Sequence, residues 1–199
     1  MKMTGNSSAR VVVVSGPSGA GKTTVLRRLA ECSPVPLAFS VSATTRPPRP
    51  GEVDGVAYHF VSKEEFTQRR ERGEFLECFE VFGRGHWYGT LLSEVTTSLE
   101  AGKWVVLEID VQGALAVMER FPDALTIFLR PGSPEELERR LCGRGTESAD
   151  AMRRRLEEAR RELALADRYR YQVVNDDVEE AVGRICDILT QMEADRDAR

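Results

Sequence analysis

Residues 11–24 read VVVVSGPSGAGKTT, and this stretch limits the fold more than any other. Four consecutive valines closed by a serine are β-branched and almost wholly apolar, the composition of a buried strand in a parallel sheet. Glycine then recurs at Gly16, Gly19 and Gly21, and Lys22, Thr23 and Thr24 lead into the helix-compatible run 22–32. Strand, glycine loop and helix in that order predict an α/β fold with the loop at the carboxyl end of the first strand.

The loop satisfies G-x-x-x-x-G-K-[ST] at Gly16, Gly21, Lys22 and Thr23. Glycine lets backbone N–H groups converge on an anion, and the following helix N-terminus adds its positive end. The lysine of such a loop reaches β- and γ-phosphates, and the hydroxyl after it ligates Mg²⁺. Gly16, Pro17, Ser18, Gly19, Ala20, Gly21, Lys22, Thr23 and Thr24 are therefore the candidate cradle for a nucleoside triphosphate, with Thr23 as the candidate metal ligand.

Bulk properties narrow the rest. The chain of 199 residues is 41% hydrophobic, enough for one sizeable domain with room for inserted parts. Its net charge is −4, from 28 basic and 32 acidic residues, so a nucleic-acid polymer is not the expected partner. Cys32, Cys78, Cys142 and Cys186 form no C-x-x-C pair, which fits a reducing compartment and not a thiolate metal site. The start MKMTGNSSAR lacks the apolar stretch of a signal peptide, and no run approaches the ~20 apolar residues of a membrane span. A cytoplasmic protein without a membrane partner is expected, as a monomer or small homo-oligomer.

Along the chain, residues 1–10 read as a loose tail and 37–45 (LAFSVSATT) as β-like. RPPRPGEVDG cannot be regular structure, because prolines and glycines interrupt it. Short strands at VAYHFVS and EFLECFEVFG flank a helical KEEFTQRRERG, so 36–91 reads as an inserted strand-rich subdomain. KWVVLEID and ALTIFL are buried parallel strands. Ser133, Pro134, Glu135 and Glu136 make a helix start. GRGTES interrupts the helical pattern, which resumes near Ala151 with Met152, Leu156, Ala159 and Leu163 on one face. YQVV is a last short strand. Asp177 and Glu180 start the final helix as a capping box of related type, and EADRDAR reads as a solvated tail. The expected domain has its core at 11–35, 92–142 and 156–195, the subdomain at about 36–91 and a mobile lid at about 143–155.

A phosphate loop alone fits ATPases, GTPases and small-molecule kinases, so the acceptor side must choose. Glu108 and Asp110 end a strand, where carboxylates hold Mg²⁺ or its waters opposite such a loop. Arg46 and Arg49 sit in a proline-stiffened loop, and guanidinium forks bind phosphate bidentately. Tyr58 and Tyr88 carry hydroxyls that suit the same anion. Arg140, Arg144, Arg153, Arg154 and Arg155 form the densest cationic region; Arg and Glu at spacing four ordinarily mark a salt-bridged face. Arg144, between two glycines, stands in a loop able to move.

GPSGAGKTT, SVSATTRPPRPGE, EFLE, YGT, LEIDVQG, RLCGRGTES and VVNDD, taken in this order over residues 11–177, resemble the guanylate kinases of the nucleoside monophosphate kinase group. The resemblance implies a three-layer P-loop fold and the reaction ATP + GMP ⇌ ADP + GDP with Mg²⁺, in guanine nucleotide metabolism. By position it implies Ser42, Arg46, Arg49, Tyr58, Glu77, Tyr88 and Thr90 at the GMP site, with Asp110 close by. The arginines and tyrosines would take the phosphate, and Ser42, Glu77 and Thr90 would read guanine. Lys22, Arg140, Arg144 and Arg155 would act on the transferring phosphate. Asn175 would lie near adenine or only support the last helix. Many members have Tyr-Tyr-Gly where this chain has Trp87-Tyr88-Gly89. The rival readings are a non-catalytic peptide-binding module of similar fold and a P-loop kinase of another phosphorylated acceptor. The intact loop speaks against the first, and Glu77 with Ser42 and Thr90 against the second.

Overall fold

The computed structural model describes residues 10–80, 85–142 and 149–198. The valine run forms β1 (Val11–Ser15), buried at every position, and α1 (Lys22–Cys32) follows the glycine loop. The remaining strands are β2 (Leu37–Phe39), β3 (Ala43–Thr44), β4 (His59–Phe60), β5 (Phe75–Glu80), β6 (Trp87–Leu91), β7 (Trp104–Glu108), β8 (Leu125–Arg130) and β9 (Tyr171–Val174). The helices after α1 are α2 (Lys63–Glu71), α3 (Leu92–Glu100), α4 (Val111–Arg120), α5 (Pro134–Cys142), α6 (Ala149–Leu163) and α7 (Val178–Asp197). The architecture is α/β, as expected, with a five-stranded sheet ordered β2-β7-β1-β8-β9 and a four-stranded sheet ordered β4-β3-β6-β5. Non-consecutive neighbours in the first sheet require helical crossovers, and β8 and β9 pair parallel with Ile127 opposite Tyr171.

The chain divides into two compact units. One comprises residues up to Val12, Ala38–Leu107 and Gln112–Ala124. It contains the four-stranded sheet. There β3 runs parallel to β4 and antiparallel to β6, and β6 runs antiparallel to β5. Ala43, Phe66, Phe75 and Leu91 form a buried cluster, with the Phe66 and Phe75 rings stacked at 4.4 Å. The stretch 37–45, expected as one β-like run, serves two sheets instead. Ser40 N–H donates to Val106 O, whereas two residues later Ser42 O accepts from His59 N–H. Strand β6 and helices α3 and α4 were not anticipated from the sequence.

The other unit comprises Val13–Leu37, Glu108–Val111 and Leu125–Arg199. Its helix starts follow the sequence. Ser133 Oγ accepts from Glu136 N–H at 3.1 Å at the head of α5, and Asp177 Oδ1 accepts from the amides of Glu179 and Glu180 at the head of α7. On α6 the expected face is apolar and packed: Ala159 is buried, and Met152, Leu156 and Leu163 are partly buried, against Leu137 and Leu141 of α5. The C-terminal residues expected as a solvated tail are helical to Asp197. Arg196 pairs there with Glu193 three residues back, a spacing that supports a final turn, and also with the adjacent Asp197. The expected loose tail lies outside the described residues except Arg10, whose carbonyl accepts from Val105 N–H. Residues 143–148 of the expected lid, with Arg144, also lie outside them, and 149–155 belong to α6. Among the described residues no helix is long and apolar enough to cross a membrane.

Candidate active site

The glycine loop is shaped by close approaches that tolerate no side chain. Gly16 has φ 143°, and a Cβ there would lie 2.0 Å from Leu129 O of β8. Gly21, the residue before α1, has φ 87°, and its Cβ would meet Asn175 Nδ2 at 2.4 Å. Both positions thus need glycine twice over, for the backbone angle and for the space. Asn175 is buried and its Nδ2 donates to Ala20 O at 2.7 Å, while its carbonyl accepts from Arg140 Nη2 at 2.8 Å. Asn175 therefore holds the loop from the end of β9, a task that the sequence did not suggest. Lys22 Nζ donates to Gly16 O at 2.6 Å and Pro17 O at 3.2 Å, which lays its ammonium over the loop.

Two of the three predicted arginines are described, and both reach this loop region. Arg140 Nε is held by Glu136 at 2.7 Å while its Nη2 reaches Asn175. Arg155 Nη2 donates to Ser18 Oγ at 2.9 Å. Thr23 Oγ1 donates to Glu108 Oε1 at 2.9 Å, so the hydroxyl next to the lysine and the carboxylate ending β7 meet as the sequence suggested. Asp110 stands two residues beyond. These are hard oxygen donors, the kind Mg²⁺ takes, and the Thr23 oxygen keeps lone pairs while its hydrogen goes to Glu108. Among the described residues no three His, Cys, Asp or Glu side chains converge as a metal cage. The donor set fits an ion that arrives with phosphate and keeps much of its water.

The candidate acceptor residues other than Asp110 lie in the other unit, whereas Asp110 falls in the unit of the phosphate loop. The register of β5 and β6 sets Glu77 opposite Thr90, after an irregularity between Phe75 and Glu77. Glu77 Oε1 accepts from Thr90 N–H at 3.0 Å and from Thr90 Oγ1 at 2.6 Å. Thr90 is fully buried, and its single hydroxyl hydrogen goes to Glu77. It therefore orients the carboxylate, where the sequence reading had it donate to the base. Ser42 is half-buried just before β3, and its carbonyl accepts from His59 N–H.

Arg46 is nearly buried and firmly held. Its Nη1 and Nη2 each donate to Glu52 at 2.9 Å, Nη1 also donates to Pro47 O, and Nε donates to Tyr88 Oη at 3.1 Å. The guanidinium also lies over the rings of Tyr58 and Phe60, at 5.4 and 5.7 Å from their centroids. The Arg46 guanidinium, and then the Arg49 N–H, hold the Glu52 carboxyl below its ordinary range. Glu52 was missed as a site residue, although it stands six residues after Arg46 in the same stiff loop. Tyr88 Oη accepts from Arg46, so its own hydrogen is left to donate elsewhere. Tyr58 packs edge-on to Tyr88 at 5.7 Å, and Arg49 is exposed.

A family model described as guanylate kinase matches residues 8–192. A guanylate kinase of Rhodopirellula baltica is 55% identical over 181 residues, which cover 90% of this chain and 87% of that protein. One from a Mycobacterium species is 50% identical, covering 94% and 93%. The crystal structure of guanylate kinase from Anaplasma phagocytophilum superposes with a TM-score of 0.74 at 36% identity, over 91% of this chain and 84% of that one. Matches of this length and identity take in the glycine loop, the Glu77–Thr90 pair and the Arg46–Tyr88 pair alike, and the chain belongs to the guanylate kinase family.

Proposed function

We propose that this enzyme phosphorylates GMP to GDP at the expense of ATP, and that the two groups of residues above divide the work. Family membership supports the reaction. The observation that carries the choice of guanine is the Glu77 carboxylate fixed by both donors of Thr90. Guanine offers two donors, N1–H and N2–H₂, and an anchored carboxylate accepts from both. Adenine presents a lone pair at N1 and no 2-amino group, so it meets Glu77 with repulsion and leaves a polar site unpaired. Ser42 donates to O6.

Tyr88 and Tyr58 donate their hydroxyls to the GMP phosphate, Arg49 adds an exposed guanidinium, and Arg46 supplies positive charge while holding Tyr88 in place. Gly16–Thr24 cradle the ATP phosphates with backbone N–H groups. A phosphate oxygen of GMP attacks the γ-phosphorus, the bond to the β,γ-bridging oxygen breaks, and ADP leaves. The protein's part is positioning and positive charge on the moving group, given by Lys22, Arg140, Arg155 and Arg144. Thr23, with Glu108 and Asp110 beside it, would hold Mg²⁺ together with the phosphates, and the ion would supply positive charge against the triphosphate. The arrangement within the chain is a core and a GMP-binding part at about 36–91, in a cytoplasmic enzyme.

The test is formation of ADP from ATP with GMP, dGMP, AMP, UMP and dTMP as acceptors, with and without Mg²⁺. GMP should be used at least ~10⁴-fold better than AMP by kcat/KM. No ADP with any acceptor would favour the non-catalytic module, and a preference for another nucleotide would reassign the acceptor.

A further inference from the structure

One charged group at the phosphate loop has no task in the reaction above. Glu162 lies in the last turn of α6, and its carboxyl accepts from the backbone N–H of Ser18. Lys22, Glu158 and Asp110 are its charged neighbours. Burial, the largest influence, raises this carboxyl to about 7 against the pull of Lys22. Seven residues earlier on the same helix, close to two turns, Arg155 donates to Ser18 Oγ at 2.9 Å. One helix therefore holds one loop residue by its amide and by its hydroxyl, with groups of opposite charge.

Ser18 is the only residue between Gly16 and Lys22 whose side chain offers a hydrogen bond. Three glycines in the loop have positive φ, at 143°, 88° and 87°, so the free chain has much freedom to lose when it closes on an anion. Anchors outside the loop lower that cost before the ligand arrives. Asn175 supplies one anchor at Ala20. Helix α6 supplies the other, and it is itself seated by Leu156, Ala159 and Leu163 on Leu137 and Leu141. Burying a carboxyl is costly unless it is hydrogen-bonded, and Glu162 spends its bond on the loop.

We propose that Glu162 and Arg155 form a two-point clasp on Ser18 through which α6 presets the phosphate loop for ATP, which makes Glu162 a positioning residue for the donor nucleotide. The proposal rests on the reading of Gly16–Thr24 as the triphosphate cradle. Its test is steady-state kinetics of Glu162→Ala, Glu162→Gln and Glu162→Asp, with Lys22→Ala alongside and thermal melting of each.

Glu162→Ala removes the acceptor and should raise KM for ATP about tenfold, with KM for GMP within about twofold of wild type. Glu162→Gln keeps an acceptor oxygen at the same reach and should recover most of that loss. Glu162→Asp keeps the charge but withdraws it, and should resemble Glu162→Ala; it carries the test if the alanine variant does not fold. An unchanged KM for ATP overturns the clasp. So does a parallel rise of both KM values with a lowered melting temperature, because that is a structural effect alone. If Lys22→Ala cripples turnover while the Glu162 variants act normally, only the clasp is wrong. If Lys22→Ala is also normal, the reading of the loop fails with it.

Discussion

The phosphate loop and the candidate guanine site solve the same task, presenting polar groups to a charged nucleotide, with different parts of the chain. The loop uses main chain. Its glycines at positions 16 and 21 clear space against Leu129 O and Asn175, and its carbonyls at Gly16, Pro17 and Ala20 accept from Lys22 and Asn175. The candidate acceptor site uses side chains that grip one another: Thr90 holds Glu77 on the side read as facing the base, and Glu52 holds Arg46, which holds Tyr88, on the side read as facing the phosphate. A backbone cradle recognises what all triphosphates share. A side-chain cradle distinguishes one base edge from another, because each donor and acceptor is fixed separately. On the proposed reading, the triphosphate falls to main chain, whereas the base and the phosphate of GMP both fall to side chains.

That contrast breaks most visibly at Lys22. Lys22→Ala should lower kcat by ~10²–10³, since it removes one preorganised charge from the transferring phosphate. Calorimetric titration with GMP should show unchanged affinity. A variant that keeps near-normal turnover would remove the lysine from the mechanism. A smaller effect is expected at Thr90. Thr90→Val preserves volume and the backbone N–H but deletes the 2.6 Å bond to Glu77. The loss of one hydrogen bond to a charged group, about 1.5 kcal/mol or more, should raise KM for GMP about tenfold and leave KM for ATP alone. Equal shifts in both constants would show that Thr90 matters only for packing.

The smallest expected effect concerns stability and pH. Burial raises Glu162 to about 7 in the folded chain, above the ~4.3 of a free glutamate. Between those values the folded state binds the more protons, so this group's contribution to stability falls as pH rises and levels off above about 7. Glu162→Gln abolishes that slope. The melting temperature of the variant relative to wild type should therefore rise by a few degrees between about pH 5 and about pH 8. A gap independent of pH would show that the carboxyl is not desolvated.

The two regions also differed in how far the sequence could be read. The loop was legible because its chemistry is contiguous: strand, glycines, lysine and hydroxyl occupy 14 consecutive residues of the chain. Its boundaries matched the structure at both β1 and α1. The Glu77–Thr90 bond was not legible, because it depends on strand register past an irregularity and on β6, which short motifs did not announce. The residues were named by resemblance, but their pairing was not. The switch of 37–45 between sheets was hidden for a similar reason, as alternation says which face is buried and not which sheet. Glu162 escaped because RRRLEEARREL reads as a salt-bridged solvated face, and periodicity does not reveal that one of its carboxyls is turned inward. Asn175 was read as a neighbour of adenine or a support of the last helix, and its grip on Ala20 required the β9 end to be placed beside the loop.

The most direct test of guanine selection by an anchored carboxylate is the ratio of kcat/KM for GMP to that for AMP in wild type and in Glu77→Gln. An amide accepts one guanine donor less well and offers an N–H to adenine N1. Glu77→Gln should lower kcat/KM for GMP by the equivalent of about 1–3 kcal/mol or more and narrow the GMP:AMP ratio. If both kcat/KM for GMP and the ratio stay at their wild-type values, Glu77 is a strand-end carboxylate without a part in recognition, and the division of labour drawn here is wrong.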